Sequence, residues 1–186
     1  MNPASNLILV GPMGAGKSCI GRRLAERFGM RLVDADQEVE RRTGAPIPTI
    51  FQCEGESGFR ARERTTLAEL LEQDGIVLAT GGGAVLDPQT RERLRTRGFV
   101  VHLHLAPLQQ LQRLARDRTR PLLARPDREA VLNELAELRD PLYAEVADLR
   151  YDTGRLTAAA ATDHLADLLD TRWQRTHAPA GSGVST

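Results

Sequence analysis

A chain of 186 residues with 41% hydrophobic residues is sized for one globular domain with a sizeable core. Charged residues make up 27% and the formal net charge is zero, which points to neither a disordered chain nor a broad polyanion-binding surface, so no nucleic-acid partner is expected. No basic segment leads into an apolar stretch at the start and no apolar run approaches the ~20 residues that cross a bilayer, so the reading is a cytoplasmic protein without a membrane partner.

In chain order, NLILVG (6–11) is a short apolar run of β-formers ending at glycine, and after a glycine-rich turn CIGRRLAERFG has helical periodicity. Strand and helix then alternate. RLVDA (31–35) is the second strand, and residues 36–74 hold extra helical sequence, expected to be a small inserted substrate-binding region. GIVLAT (75–80) precedes the helical DPQTRERLRTRG, and FVVHLHL (99–105) precedes PLQQLQRLAR. The proline-bounded segment 116–126 reads as a lid, and a long polar helix is expected to close at Arg139, just before Pro141. A weak strand, DLRYDT (148–153), leads into a last helix ending near Trp173, a packing residue; from His177 the tail has nothing to bury and is expected to be disordered. Five apolar strands alternating with helices imply an α/β fold, a five-stranded parallel sheet covered on both faces, over residues 1–176.

GPMGAGKS, Gly11 to Ser18, matches G-x-x-x-x-G-K-[ST] and sits directly between strand and helix, the context such a loop needs to cradle phosphates. Lys17 is the chain's only lysine among 25 lysines and arginines. A compact, movable point charge fits the curl of the loop, where the planar arginine fork would not. Lys17 would reach the β- and γ-phosphates and the Ser18 hydroxyl would hold Mg²⁺.

Other residues must decide the phosphate chemistry. A guanine-reading GTPase needs an N-K-x-D motif, hence a second lysine. A motor-type ATPase ends an apolar strand in aspartate, whereas GIVLAT ends in Thr80. The carboxylates are sought instead in DAD: Asp34 and Asp36, two apart at a strand's carboxyl edge, are expected to point together into the crevice where ligands of open α/β sheets bind. In FQCEGESGFRARE (51–63), a helix starting near Glu56 and Ser57 would set Arg60 and Glu63 three apart on one face, an arginine preorganised for a planar anion. Taken alone, that pair reads as a surface ion pair. Gly81, Gly82 and Gly83 cost roughly 1 kcal/mol each where ordered structure would serve, so close approach of backbone to a ligand is expected. Arg116, Arg118 and Arg120 would bring positive charge to a transferring phosphoryl group as the lid closes.

Together GPMGAGKS, DAD, F-x-x-x-G-E followed by GFRARE, the triple glycine, RPLL and RDPLY resemble shikimate kinase, in order and spacing, from about residue 7 to 155. The resemblance implies a monomeric P-loop kinase of chorismate and aromatic amino acid biosynthesis. It would transfer the γ-phosphate of ATP to the 3-hydroxyl of shikimate with one Mg²⁺, giving ADP. It implies Lys17, Asp36 and Arg120 as catalytic residues, with Asp36 orienting the hydroxyl and able to accept its proton. ATP contacts are implied for Gly14, Ala15, Gly16, Lys17, Ser18, Cys19, Arg120 and Arg155, the last beside adenine. Shikimate contacts are implied for Asp36, Arg60, Gly82 and Arg139, and Mg²⁺ contacts for Ser18 and, through water, Asp34. The rivals are a gluconate kinase of the same architecture and a nucleotide-binding regulator without turnover; the full set of acceptor residues disfavours both.

Three features stay outside this constellation. Cys19 and Cys53 offer neither metal-ligand spacing nor a disulfide framework and read as free thiols. His102 and His104 share one face of a strand, but the sequence displays no further ligand beside them and a structural role is expected. Arg91, Arg93, Arg95 and Arg97 alternate around a helix and read as solvated surface.

Overall fold

The computed structural model describes residues 4–115, 117, 121–123 and 127–175. The tail from residue 177 and most of segment 116–126, with Arg116, Arg118 and Arg120, lie outside the described residues.

Five strands, β1 (Leu7–Val10), β2 (Arg31–Asp34), β3 (Ile76–Ala79), β4 (Phe99–His104) and β5 (Leu149–Asp152), form one parallel sheet in the order β2-β3-β1-β4-β5. The helices are α1 (Lys17–Phe28), α2 (Ala35–Thr43), α3 (Ile47–Leu70), α4 (Pro88–Arg97), α5 (Pro107–Arg113), α6 (Arg128–Val146) and α7 (Ala158–Arg172). β1 is buried along its whole length, and its side chains alternate between two cores. Leu7 and Leu9 join Leu24, Val101, Leu165 and Trp173 under α1 and α7, while Ile8 and Val10 join Leu67, Leu78, Leu94 and Tyr143 under α3, α4 and α6. Truncating such a leucine to alanine costs about 2–5 kcal/mol. Trp173 packs as expected: it stands edge-on to Phe28 and its indole N–H donates to the Ala4 carbonyl at 3.0 Å. The chain passes from β3 to β4 across β1, so the loops after β1 and β3 leave the same sheet edge side by side.

Several sequence expectations are corrected. β2 stops at Asp34, because that carboxylate caps α2, accepting from the amides of Asp36 and Gln37 at 3.1 and 3.2 Å. Asp36 therefore stands in a first helical turn and not on an extended edge. α3 starts nine residues before Glu56, at Ile47, and bends at Gly55 (φ 70°, ψ −175°), a conformation that glycine alone adopts readily. The expected helix onset is thus a kink inside a longer helix. Both parts pack on α2, Ile50 from before the kink and Phe59 from beyond it meeting Val39. α6 does not close at Arg139 but runs through Pro141 to Val146. The proline removes one N–H, and burial of Tyr143 and Val146 against the sheet carries the helix on. Arg91 is an anchor, not solvated surface, donating to the carbonyls of Val85 and Leu86 and to Glu145.

Candidate active site

The loop after β1 turns through Gly14 (φ 79°) and Gly16 (φ 91°) into α1, whose first turn has no side-chain cap, so its amides are available to an anion. Two loop carbonyls are held from outside: Met13 accepts from Gln110 Nε2 at 2.9 Å and Gly14 from Arg113 Nη1 at 3.1 Å. Lys17 Nζ folds back onto the loop and donates to the carbonyls of Gly11 and Pro12, each at 2.8 Å. Its ammonium is thereby placed over the curl. Ala15, within the loop, is buried, and Cys19 is exposed in the first turn of α1.

Ser18 Oγ donates to Asp34 Oδ2 at 2.5 Å, joining the start of α1 to the end of β2. A hydroxyl and a carboxylate, both hard oxygen donors, thus meet beside the loop.

Next to them opens a cavity of about 340 Å³ between the loop, α2, α3, the glycine turn after β3 and α6, a volume suited to a small ring. Asp34 and Asp36 both line it, so the two carboxylates meet by helix capping and not by strand pleat. Arg60 reaches in from the part of α3 beyond the kink. Its Nη1 donates to Glu63 at 2.6 Å, its Nη2 to Glu56 at 3.1 Å, and its guanidinium lies 5.1 Å from the centre of the Phe59 ring. This is a buried charge-assisted pair and not the surface ion pair that spacing alone suggests, since Glu63 is only 3% exposed. Burial pushes the Glu63 carboxyl above its ordinary range against the pull of Arg60, and the Asp36 charge adds to the rise. Arg139, 4% exposed, enters from α6; burial lowers its pKa, and its Nε has no hydrogen-bond partner among the described residues.

The glycine turn serves these side chains directly. A Cβ on Gly81 would strike the carboxylates of Glu63 and Asp36, and one on Gly83 would strike the Arg60 guanidinium. The close approach expected of a ligand is made, at those two positions, by the site's own charged groups. Gly82 lines the cavity, and its carbonyl accepts from Tyr143 Oη at 2.5 Å.

The structure thus brings Ser18, Asp34, Asp36, Arg60, Glu63, Gly82 and Arg139 to one cavity beside Lys17. Arg155 is not in it: it is exposed in the turn after β5, two residues past Thr153, whose carbonyl accepts from Arg113, which also holds the Gly14 carbonyl. Arg120 lies outside the described residues. Sequence reasoning missed Tyr143, Phe59, Gln110 and Arg113. Tyr143 was reachable, since it is four residues after Arg139 on a helix; Arg113 carries no local signal.

A parallel sheet with a glycine-rich phosphate loop after its central strand and a charged acceptor cleft beside it defines an ATP-dependent P-loop kinase, a transferase. The family model described as shikimate kinase matches residues 13–170. A shikimate kinase of Stenotrophomonas maltophilia is 61% identical over 175 residues, covering 94% of this chain and 97% of its own, and one of Xanthomonas oryzae pv. oryzae is 57% identical over 180 residues, covering 97% and 100%. Among solved structures, shikimate kinase from Acinetobacter baumannii in complex with shikimate superposes with a TM-score of 0.87 at 46% identity, covering 91% of this chain and 95% of the other. The chain belongs to the shikimate kinase family. No helix among the described residues is long and apolar enough to cross a membrane.

Proposed function

We propose that the chain is a shikimate kinase that transfers the γ-phosphoryl group of ATP to the 3-hydroxyl of shikimate. The observation that carries this reading is the convergence of half-buried Arg60 and buried Arg139 with Asp36 in a cavity that adjoins the phosphate loop. Shikimate is a small ring bearing one carboxylate and three hydroxyls. The guanidinium forks match the carboxylate, and Asp36 accepts from the reacting hydroxyl.

The 3-oxygen attacks the γ-phosphorus as the bond to the β,γ-bridging oxygen breaks; ADP carries away the electron pair, and the hydroxyl proton passes to Asp36 or to solvent. Little base strength is needed in a loose transition state, so the chain's work is positioning and charge stabilisation. Arg60, tethered by Glu63 and Glu56, fixes the ring. Asp36 aims the oxygen, and Lys17 moves from the loop carbonyls to the charge developing on the transferred group. Ser18 and, through water as the resemblance implies, Asp34 would hold Mg²⁺, which would supply neutralisation of phosphate charge. Arg120 keeps the phosphate-contacting role that the resemblance implies, and Arg155 is assigned to the adenine end. We take the protein to be a cytoplasmic monomer, with residues 36–74 serving the acceptor.

The test is ADP release from MgATP with shikimate, gluconate, a nucleoside monophosphate or no acceptor. Stimulation by shikimate alone is expected. Gluconate-dependent release, or tight MgATP binding with no acceptor-dependent turnover, would overturn the reading.

A further inference from the structure

His102 and His104 share the face of β4 that meets α6, and the third ligand that strand spacing cannot supply comes from that helix. One ligand atom each from His102, His104 and Asp140 lies within 4.8 Å of the others. The two imidazoles stand edge to face with centroids 5.7 Å apart, and the His102 ring also packs against Tyr143 at 4.9 Å.

Three ring nitrogens here have no hydrogen-bond partner among the described residues: Nδ1 and Nε2 of His102 and Nδ1 of His104. His102 is only 2% exposed. Orphaned buried nitrogens are costly unless something is meant to meet them.

We propose that His102, His104 and Asp140 form a binding site for one borderline divalent transition-metal ion of the Zn²⁺ type, distinct from the ion that accompanies ATP. Two imidazoles and a carboxylate suit Zn²⁺ over Mg²⁺, which takes oxygen donors. Tetrahedral coordination at about 2.1 Å from each ligand asks the three atoms to close up by roughly an ångström, and His104 and Asp140, both only half-buried, have room to turn. The site sits where the ion would be felt. His102 pairs in register with Val10, the last residue before the phosphate loop, and Asp140 adjoins Arg139 in the acceptor cavity. Tying Asp140 to β4 would fix the turn of α6 that carries Arg139.

The experiment is Zn²⁺ titration of the full chain, without nucleotide or Mg²⁺, against a chromophoric chelator, with Co²⁺ as a spectroscopic reporter of the ligand set. One tight Zn²⁺ per chain and a visible d–d absorption with Co²⁺ are expected. His104→Ala and Asp140→Asn should each weaken binding about tenfold or more. His164→Ala, whose ring pairs with Tyr151 instead, should leave it unchanged. Both site variants change half-buried side chains, and circular dichroism checks that they fold. Absence of stoichiometric binding, or binding indifferent to both substitutions, would overturn the proposal.

Discussion

The phosphate half of the site and the acceptor half are built by opposite means. The phosphate loop is contiguous, Gly11 to Ser18; it offers uncapped helix amides and one mobile ammonium, and its outer carbonyls are braced by Gln110 and Arg113. The acceptor cavity is assembled from side chains far apart in sequence, buried Glu63 and Arg139 with half-buried Asp36 and Arg60, kept in place by one another and by missing Cβ atoms at Gly81 and Gly83. A backbone cradle tolerates almost any surroundings. A buried charge network does not, because each member removed leaves another unsatisfied. Substitutions in the first half should therefore act on transferred charge, and those in the second on both acceptor affinity and local fold.

The largest effect is expected for Lys17→Ala, which removes the one movable cation of the loop. kcat should fall about 10³-fold with stability near that of the parent, read by steady-state rates and chemical denaturation. A large loss of stability instead would mean that its bonds to Gly11 and Pro12 hold the loop's shape. Asp36→Asn keeps an acceptor oxygen and loses the charge; kcat should fall about 10²-fold with the KM for ATP unchanged. A loss of only a few-fold would discard proton acceptance and leave orientation.

Gly81→Ala forces a methyl onto Glu63 and Asp36. A roughly tenfold rise in shikimate KM is expected, along with a stability cost of about 1–3 kcal/mol. An unaltered KM would show that those carboxylates can yield.

The smallest effect lies beyond the cavity. Glu38 bonds Arg41 and Arg42, and Arg42 also reaches Glu69 on α3, so the cluster clips α2 to α3. Hydrogen bonds from the two arginines, Arg41 first, hold the Glu38 carboxyl at about 2, below its ordinary 4.5. Because the folded pKa is depressed, the stabilisation is present above pH 4.5 and is lost as pH falls toward 2. Glu38→Gln should cost about 1 kcal/mol at pH 7, a difference that closes across that window in denaturation midpoints. A pH-independent difference would assign the loss to packing.

The same contrast explains what was legible in the sequence. The phosphate loop could be read because its chemistry is local: glycines, lysine and serine act where they stand in the chain. The five parallel strands followed from short apolar runs alternating with helical stretches, and Arg60 with Glu63 from helical spacing; the strand order came only with the structure. What spacing could not show was depth, since a pair three apart reads as surface until burial makes it a network. Asp34 and Asp36 were placed together for the wrong reason, because a carboxylate able to cap a helix ends the strand that carries it. Pro141 read as a stop until packing on the sheet outweighed one lost hydrogen bond. Asp140, one residue past Arg139, came to the two histidines of β4 only through the tertiary fold.

The most direct measurement is a grid of initial rates over ATP and shikimate concentrations for the parent chain and for Arg60→Lys. Lysine keeps the charge beside Glu63 and loses the planar fork. The account predicts shikimate-dependent ADP release in the parent and, in the variant, a rise of about tenfold or more in the KM for shikimate with the KM for ATP within about twofold. Equal rises in both constants, or ADP release indifferent to shikimate, would contradict it.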